Sequence, residues 1–135
     1  MKYSRLAAVC LVCALFVTGC GSNMLKVKGR VVKAGQPFII APDESMRIVF
    51  VPSEPLSPDK YDSFFAIYSR EDGSFRVTGK DGNGLPPGKY KVGLELLKHK
   101  NDEFKGAFSA KRSPFAFEVK SSSDEIVLDL AQIKG

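Results

Sequence analysis

The 135-residue sequence has few of the residues that catalytic and metal sites most often use. It contains no tryptophan, and its single histidine, His99, lies between two lysines. One histidine excludes the zinc sites that need several histidine ligands, including the H-E-x-x-H motif. No serine lies in a G-x-S-x-G motif, so a nucleophile elbow is excluded as well. We therefore expect no enzyme activity, no cofactor and no metal.

Cysteine is absent after position 20, since Cys10, Cys13 and Cys20 are the three cysteines of the chain. A disulfide within the remaining sequence is excluded, and so is a cysteine-ligated metal. We expect the stability of the domain to come from packing of its apolar side chains.

The N-terminal residues 1–19 have the pattern of a secretory signal. Lys2 and Arg5 precede an apolar run over residues 6–17, and no acidic residue occurs before Cys20. The run is shorter than the roughly 20 residues that span a bilayer as a helix. This combination is typical of a signal peptide and excludes a membrane-spanning segment here.

The sequence Val17-Thr18-Gly19-Cys20 resembles the bacterial lipobox. The resemblance implies cleavage after Gly19, lipid on the Cys20 thiol and acylation of the new N-terminus. More than one acyl chain is what stable anchoring requires. We expect an exported, lipid-anchored protein on the periplasmic or cell-surface side of a bacterial membrane. The absence of an aspartate after Cys20 favours the outer membrane. The predicted organisation is a signal peptide (1–19), a lipidated tether (20–24) and one domain (25–135).

Period-2 alternation of apolar and polar residues runs through the rest of the chain, and no amphipathic helix is apparent. Turns rich in Gly, Pro, Asp and Ser separate the segments, which is typical of a two-sheet antiparallel sandwich. The fold class predicted is all-β. The seven predicted strands cover about residues 25–31, 46–51, 64–69, 74–78, 89–96, 115–120 and 125–130. Side chains predicted to face the core are Ile48, Phe50, Phe75, Val77, Tyr90, Val92, Leu94, Phe117 and Leu128.

Several short motifs occur in one order along this domain. They are Val27-Lys28-Gly29-Arg30-Val31, Gly35-Gln36-Pro37, Asp72-Gly73-Ser74-Phe75 and the segment Leu85–Val92. Together they resemble carboxypeptidase regulatory-like domains, and Ser113-Pro114-Phe115 is similar to a closing segment of small lipoproteins of planctomycete-type bacteria. The resemblance implies a seven-stranded, Greek-key, transthyretin-like sandwich that acts as an accessory or interaction module. Enzymes of similar fold use several histidines, which this chain lacks.

The segment 98–112 lacks alternation and carries the whole net charge of the domain, five basic residues against two acidic ones. It also contains two phenylalanines outside any strand pattern. We expect it to form a partner-binding surface for envelope polysaccharide, anionic lipid or another envelope protein; the patch is too small for nucleic acid. The alternative is an ordinary solvated loop whose two phenylalanines fold back under the sheet. The candidate binding residues are Lys98, Lys100, Phe104, Lys105, Phe108, Lys111 and Arg112.

The function expected from these observations is a non-catalytic binding or structural module, anchored at the bacterial cell envelope. Two alternatives stay open. A carbohydrate-binding module would use Tyr61 and Tyr68 as stacking platforms, and an envelope enzyme would use carboxylates or backbone groups without histidine. The segment Lys80–Gly84 has part of the spacing of a calcium loop, but Leu85 and Pro86 stand where ligands should be, which favours a glycine-rich turn.

Lipidation can be tested with the substitution Cys20→Ser, because the serine hydroxyl cannot accept the thioether-linked lipid. We expect the wild-type protein to enter the detergent-rich phase on phase separation of a nonionic detergent, and the variant to lose mature lipoprotein processing. Recovery of the wild-type protein in the aqueous phase would contradict the lipobox assignment.

Overall fold

The computed structural model describes residues 23–54 and 62–132. Within them the chain forms nine β-strands and one short 3-10 helix, Leu130–Gln132, so the predicted all-β class is confirmed. No helix in this part of the chain is long and apolar enough to cross a membrane. The signal peptide, Cys20 and Tyr61 lie outside the described residues. The strands are β1 (Lys28–Lys33), β2 (Gln36–Pro37), β3 (Glu44–Pro52), β4 (Phe64–Tyr68), β5 (Ser74–Val77), β6 (Gly88–Lys98), β7 (Asn101–Asp102), β8 (Ala116–Val119) and β9 (Glu125–Asp129).

The seven longer strands overlap the seven predicted from alternation, because alternate side chains of a strand point to opposite faces of the sheet. The first strand is displaced from the predicted residues 25–31 to Lys28–Lys33, and Leu25 forms an isolated bridge with Leu85. In β3, Ile48 and Phe50 are fully buried while Arg47 is exposed. In β6, Tyr90 and Val92 are likewise buried. The predicted core is confirmed, with Phe117 half-buried against it rather than within it.

The strands form one hydrogen-bonded sheet. The central order is β1-β5-β4-β3-β6, and β9 and β8 add to its two ends by pairing with β1 and β6. The short strands β2 and β7 pair with the C-terminal ends of β1 and β6, respectively. All of these pairs are antiparallel except β1–β9, which is parallel. The first and last long strands of the domain are therefore neighbours.

The two end strands, β8 and β9, are connected by only five residues, 120–124. The carboxylate of Asp124 accepts hydrogen bonds from the backbone N–H groups of Lys120 (3.2 Å) and Ser121 (3.1 Å), which fixes this turn. Val119 of β8 and Leu128 of β9 belong to the same core cluster. The sheet therefore curls around a single core and brings its two ends close together.

Two tight turns have the same geometry, since each joins its strands through two residues with positive φ. They are Ala34-Gly35 (φ 51° and 80°) between β1 and β2, and His99-Lys100 (φ 49° and 70°) between β6 and β7. Positive φ at both central positions is the type I′ pattern, which matches the twist of a hairpin. The only histidine thus occupies an exposed turn.

Gly29 is required by the close approach of its neighbours. A Cβ at this position would lie 2.1 Å from the carbonyl oxygen of Ile126 and 2.5 Å from the ring of Phe75. Gly29 pairs with Phe75 on β5 and with Ile126 on β9. The missing side chain therefore gives the Phe75 ring room over β1 and lets β9 approach.

The core assignment predicts different costs for two phenylalanine truncations on neighbouring strands. Phe50 is fully buried, and its ring centroid lies 6.2 Å from those of Phe75 and Tyr90. We expect Phe50→Ala to lower the free energy of unfolding by about 3–5 kcal/mol. Phe65 is 50% exposed on the outer face of β4, so Phe65→Ala is the matched control, with a change within about 0.5 kcal/mol. Denaturant unfolding measures both; equal losses would contradict the register.

Candidate functional site

The predicted binding segment, residues 98–112, is packed along the edge of β6 that faces away from β3. The backbone N–H of Leu94 donates to the carbonyl of Phe108 (2.8 Å), and that of Val92 donates to Phe115 (2.9 Å). These bonds fill the part of the β6 edge between β7 and β8. The segment is thus an irregular extension of the sheet.

A single carboxylate organises the start of this segment. Asp102 accepts hydrogen bonds from the backbone N–H groups of Leu96 (3.1 Å), Phe104 (3.0 Å) and Gly106 (2.9 Å). Aspartate commonly bonds to nearby backbone groups in turns. In the sequence Asp102 counts only as one negative charge. In the structure its hydrogen bonds hold the segment against β6.

The two phenylalanines of the segment pack toward the core of the domain. Phe108 is only 5% exposed, and Phe104 is half-buried against the core. Their rings are 4.8 Å apart in an edge-to-face arrangement, and the Phe108 ring stacks on Phe115 at 5.8 Å. The burial of apolar surface favours this arrangement. Both rings thus contact the core, as the alternative of a solvated loop expects, and the binding role of the segment stays a prediction.

The basic residues of the segment are not gathered into one patch. Lys98 lies at the far end of β6 and pairs with Asp43 (3.2 Å); this hydrogen bond raises the pKa of Lys98 and lowers the pKa of Asp43. Lys111 lines a notch of about 310 Å³ together with Lys91, seven residues back along β6. At about 3.3 Å per residue, Lys91 and Lys98 are separated by roughly 23 Å along β6, so the notch that Lys111 lines is far from Lys98. Lys100, Lys105 and Arg112 are exposed.

A larger depression lies on the outer face of β4, β5, β1 and β9. It is an open groove of about 1030 Å³. Its floor is a row of outward-facing residues paired across the four strands, in the order Ile67, Arg76, Lys28 and Glu125. A second row, two residues further along β1, contains Ser74, Arg30 and Val127. We call this surface the β1–β5 groove.

The charges of the β1–β5 groove are unequally compensated. Arg30 pairs with Glu125 at 3.4 Å. Lys28 and Arg76 stand directly opposite each other, and neither has a carboxylate within 4.0 Å among residues 23–54 and 62–132. Like charges directly opposite on neighbouring strands destabilise a sheet. The groove therefore contains two cations in a mutually repulsive arrangement.

The acidic residues that line the groove are engaged in local structure. Asp72 accepts hydrogen bonds from the backbone N–H of Ser74 (3.0 Å) and from its hydroxyl (2.6 Å). These bonds lower the pKa of Asp72 and stabilise its ionised form. Asp124 binds the backbone of the 120–124 turn. Neither carboxylate is directed at Lys28 or Arg76 by these contacts.

Apolar side chains complete the outer face beside the cations. Ile67 is 54% exposed, Phe65 50% and Val127 39%. Single exposed hydrophobic residues are ordinary, but these three lie on the outer face of the same four strands. Together with Lys28 and Arg76 they make the surface amphipathic.

The remaining sequence candidates are placed as follows. Tyr68 is half-buried and its hydroxyl donates to the carbonyl of Phe38, and burial raises the pKa of this phenol. Tyr68 also lines the β1–β5 groove, and its use as a stacking platform for a sugar stays a prediction. Gly82 and Gly84 in Lys80–Gly84 have positive φ, in agreement with a glycine-rich turn. Among the residues that the structure describes, no group of three or more His, Cys, Asp or Glu could hold a metal ion.

In the sequence, Lys28, Arg30 and Arg76 are polar residues of alternating segments, and none of them was predicted as a binding residue. The available signal was the Lys-x-Arg spacing on β1, which places two cations on one face. The third cation comes from β5, and only the pairing register brings it opposite Lys28.

No protein-family model, curated protein or solved structure matches the chain. The likeness to carboxypeptidase regulatory-like domains therefore rests on the motifs of the sequence.

The packing of segment 98–112 predicts that its buried and its exposed residues contribute differently to the stability of the domain. We expect Lys105→Gln, Lys111→Gln and Arg112→Gln together to change the unfolding free energy by no more than about 0.5 kcal/mol per site, because all three side chains are exposed. Phe108→Ala should cost about 3–5 kcal/mol. Thermal and denaturant unfolding measure both variants. A stable Phe108→Ala protein would show that the ring does not support the fold.

Proposed function

We propose that this chain is an exported bacterial lipoprotein, anchored to the outer membrane through lipid on Cys20, whose domain is a non-catalytic binding module of the cell envelope. The lipobox Val17-Thr18-Gly19-Cys20 and the preceding apolar run support the anchor. The β1–β5 groove supports binding, and it is the observation on which the function rests.

We also propose a transthyretin-like, Greek-key sandwich for the domain, as in carboxypeptidase regulatory-like domains. In a Greek key, three consecutive strands are followed by a fourth that returns beside the first, in the spatial order 4-1-2-3. The order β6-β3-β4-β5 fits this rule. The return of β9 to the side of β1 adds a second long-range connection. These connections support a two-layer packing of the curled sheet around its core.

Binding is favoured over catalysis by the state of the groove's acidic groups. General acid–base catalysis needs a titratable group that can reach the substrate, with a pKa suited to proton transfer. Asp72 and Asp124 are hydrogen-bonded to backbone N–H groups, and Glu125 is paired with Arg30. These contacts involve each of the three carboxylates that line the groove. The cations and exposed apolar side chains, by contrast, are directed outward.

The proposed function is tested by co-sedimentation of the purified protein with cell-envelope material that sediments on its own. We expect saturable binding that weakens as salt rises, because exposed charges are screened within about 8–10 Å at 0.1–0.15 M ionic strength. The heat-unfolded protein is the control for adhesion of exposed apolar surface. Absence of saturable binding at low salt, or turnover of ester, glycoside or phosphoester substrates, would contradict the proposal.

A further inference from the structure

We infer that the β1–β5 groove binds an anionic polysaccharide, and that Lys28 and Arg76 together hold one of its carboxylate or phosphate groups. This inference rests on the proposed function as a binding module, but it is independent of the lipid anchor. It assigns the partner surface to β1 and β5 in place of segment 98–112.

The cation pair is the first argument. Lys28 and Arg76 are a directly opposed pair of an antiparallel ladder, where Cβ atoms typically lie about 4.5–5.5 Å apart. An anion placed between the two side-chain ends would convert their repulsion into two attractive contacts. Arginine offers a planar pair of donors to a carboxylate or phosphate, and lysine adds a compact charge. The pair is thus suited to one anionic group.

The groups around the pair indicate what carries the anion. The hydroxyl-bearing residues Ser69, Ser74, Ser122 and Ser123 line the same groove. Ile67 lies next to Arg76 in the transverse row and is 54% exposed. Hydroxyl groups can exchange hydrogen bonds with the hydroxyls of a sugar, and an aliphatic side chain can cover the C–H face of its ring. Three carboxylates, those of Asp72, Asp124 and Glu125, also line the groove and balance its three cations in number. It is therefore the local Lys28–Arg76 pair, and not the net charge of the groove, that would hold the acidic group, while the hydroxyls and Ile67 contact the sugar.

The shape of the site favours a chain over a lipid surface. The groove crosses four strands, and its second row, about 7 Å further along β1, adds Ser74 and Arg30, whose guanidinium pairs with Glu125. An extended polymer can lie in such a depression and bring successive groups to both rows. A bilayer would contact the parts of the domain that project, and would leave the floor of the groove uncovered.

The test uses the full chain in nonionic detergent micelles and a fluorescently labelled oligogalacturonate, which carries one carboxylate per sugar. Fluorescence anisotropy at about 50 mM salt reports binding. We expect Lys28→Gln with Arg76→Gln to weaken binding at least tenfold. The matched control, Lys105→Gln with Lys111→Gln, removes the same charge from another exposed surface and should change binding less than twofold. Because removal of the repulsive pair relieves strain, the groove variant should unfold at a temperature no lower than wild type.

Three competitors distinguish the source of the anion. A neutral dextran of similar length should not displace the probe. Polyglutamate or vesicles containing phosphatidylglycerol that displace it as well as unlabelled oligogalacturonate would overturn the assignment, in favour of an acidic peptide or a lipid surface. Equal losses in the groove and control variants would also overturn it, because net charge alone would then explain binding.

Failure of this inference is distinguishable from failure of the proposed function. If the groove variant still co-sediments with envelope material as wild type does, the site is wrong and the binding role stands. If wild-type protein binds neither the envelope material nor the oligogalacturonate, both are wrong.

Discussion

The curled sheet depends on the contact made possible by Gly29. β1 is paired along both edges, with β5 on one side and β9 on the other, and Gly29 is the register partner of Phe75 and of Ile126. Any side chain there would meet the Ile126 carbonyl and the Phe75 ring. With hydrogen in that position, Phe75 packs across β1 and β9 can pair in parallel. The same pairing brings the C-terminal strand β9 back beside the first strand of the domain.

Local alternation predicted the longer strands of the fold. When one face of a strand is buried, apolar and polar residues alternate along it, and a strand of four or more residues is long enough to show this pattern. The two-residue strands β2 and β7 were not predicted, since two residues cannot display a period. The parallel pairing of β1 with β9 joins residues almost a hundred positions apart. No local pattern encodes such a pairing; it follows from the packing of Ile126 and Leu128 into the shared core.

The candidate site was harder to predict than the core. The sum of charges along the chain indicated segment 98–112 as the binding surface. In the structure, however, Lys98 and Lys111 lie near different parts of β6, and Phe108 is buried. The β1–β5 groove combines residues from four strands, and its decisive pair, Lys28 and Arg76, is formed only by register. Both residues looked like ordinary polar positions of alternating strands. A surface assembled across a sheet leaves no continuous signal in the sequence, whereas a buried face does.

The short bridge between Leu25 and Leu85 fixes where the described chain enters the domain. Two backbone hydrogen bonds, of 2.7 and 3.1 Å, hold Leu25 beside the start of β6. β6 runs away from it for about 33 Å to the His99-Lys100 turn. The point where the chain enters the domain and the His99-Lys100 turn therefore lie at opposite ends of β6.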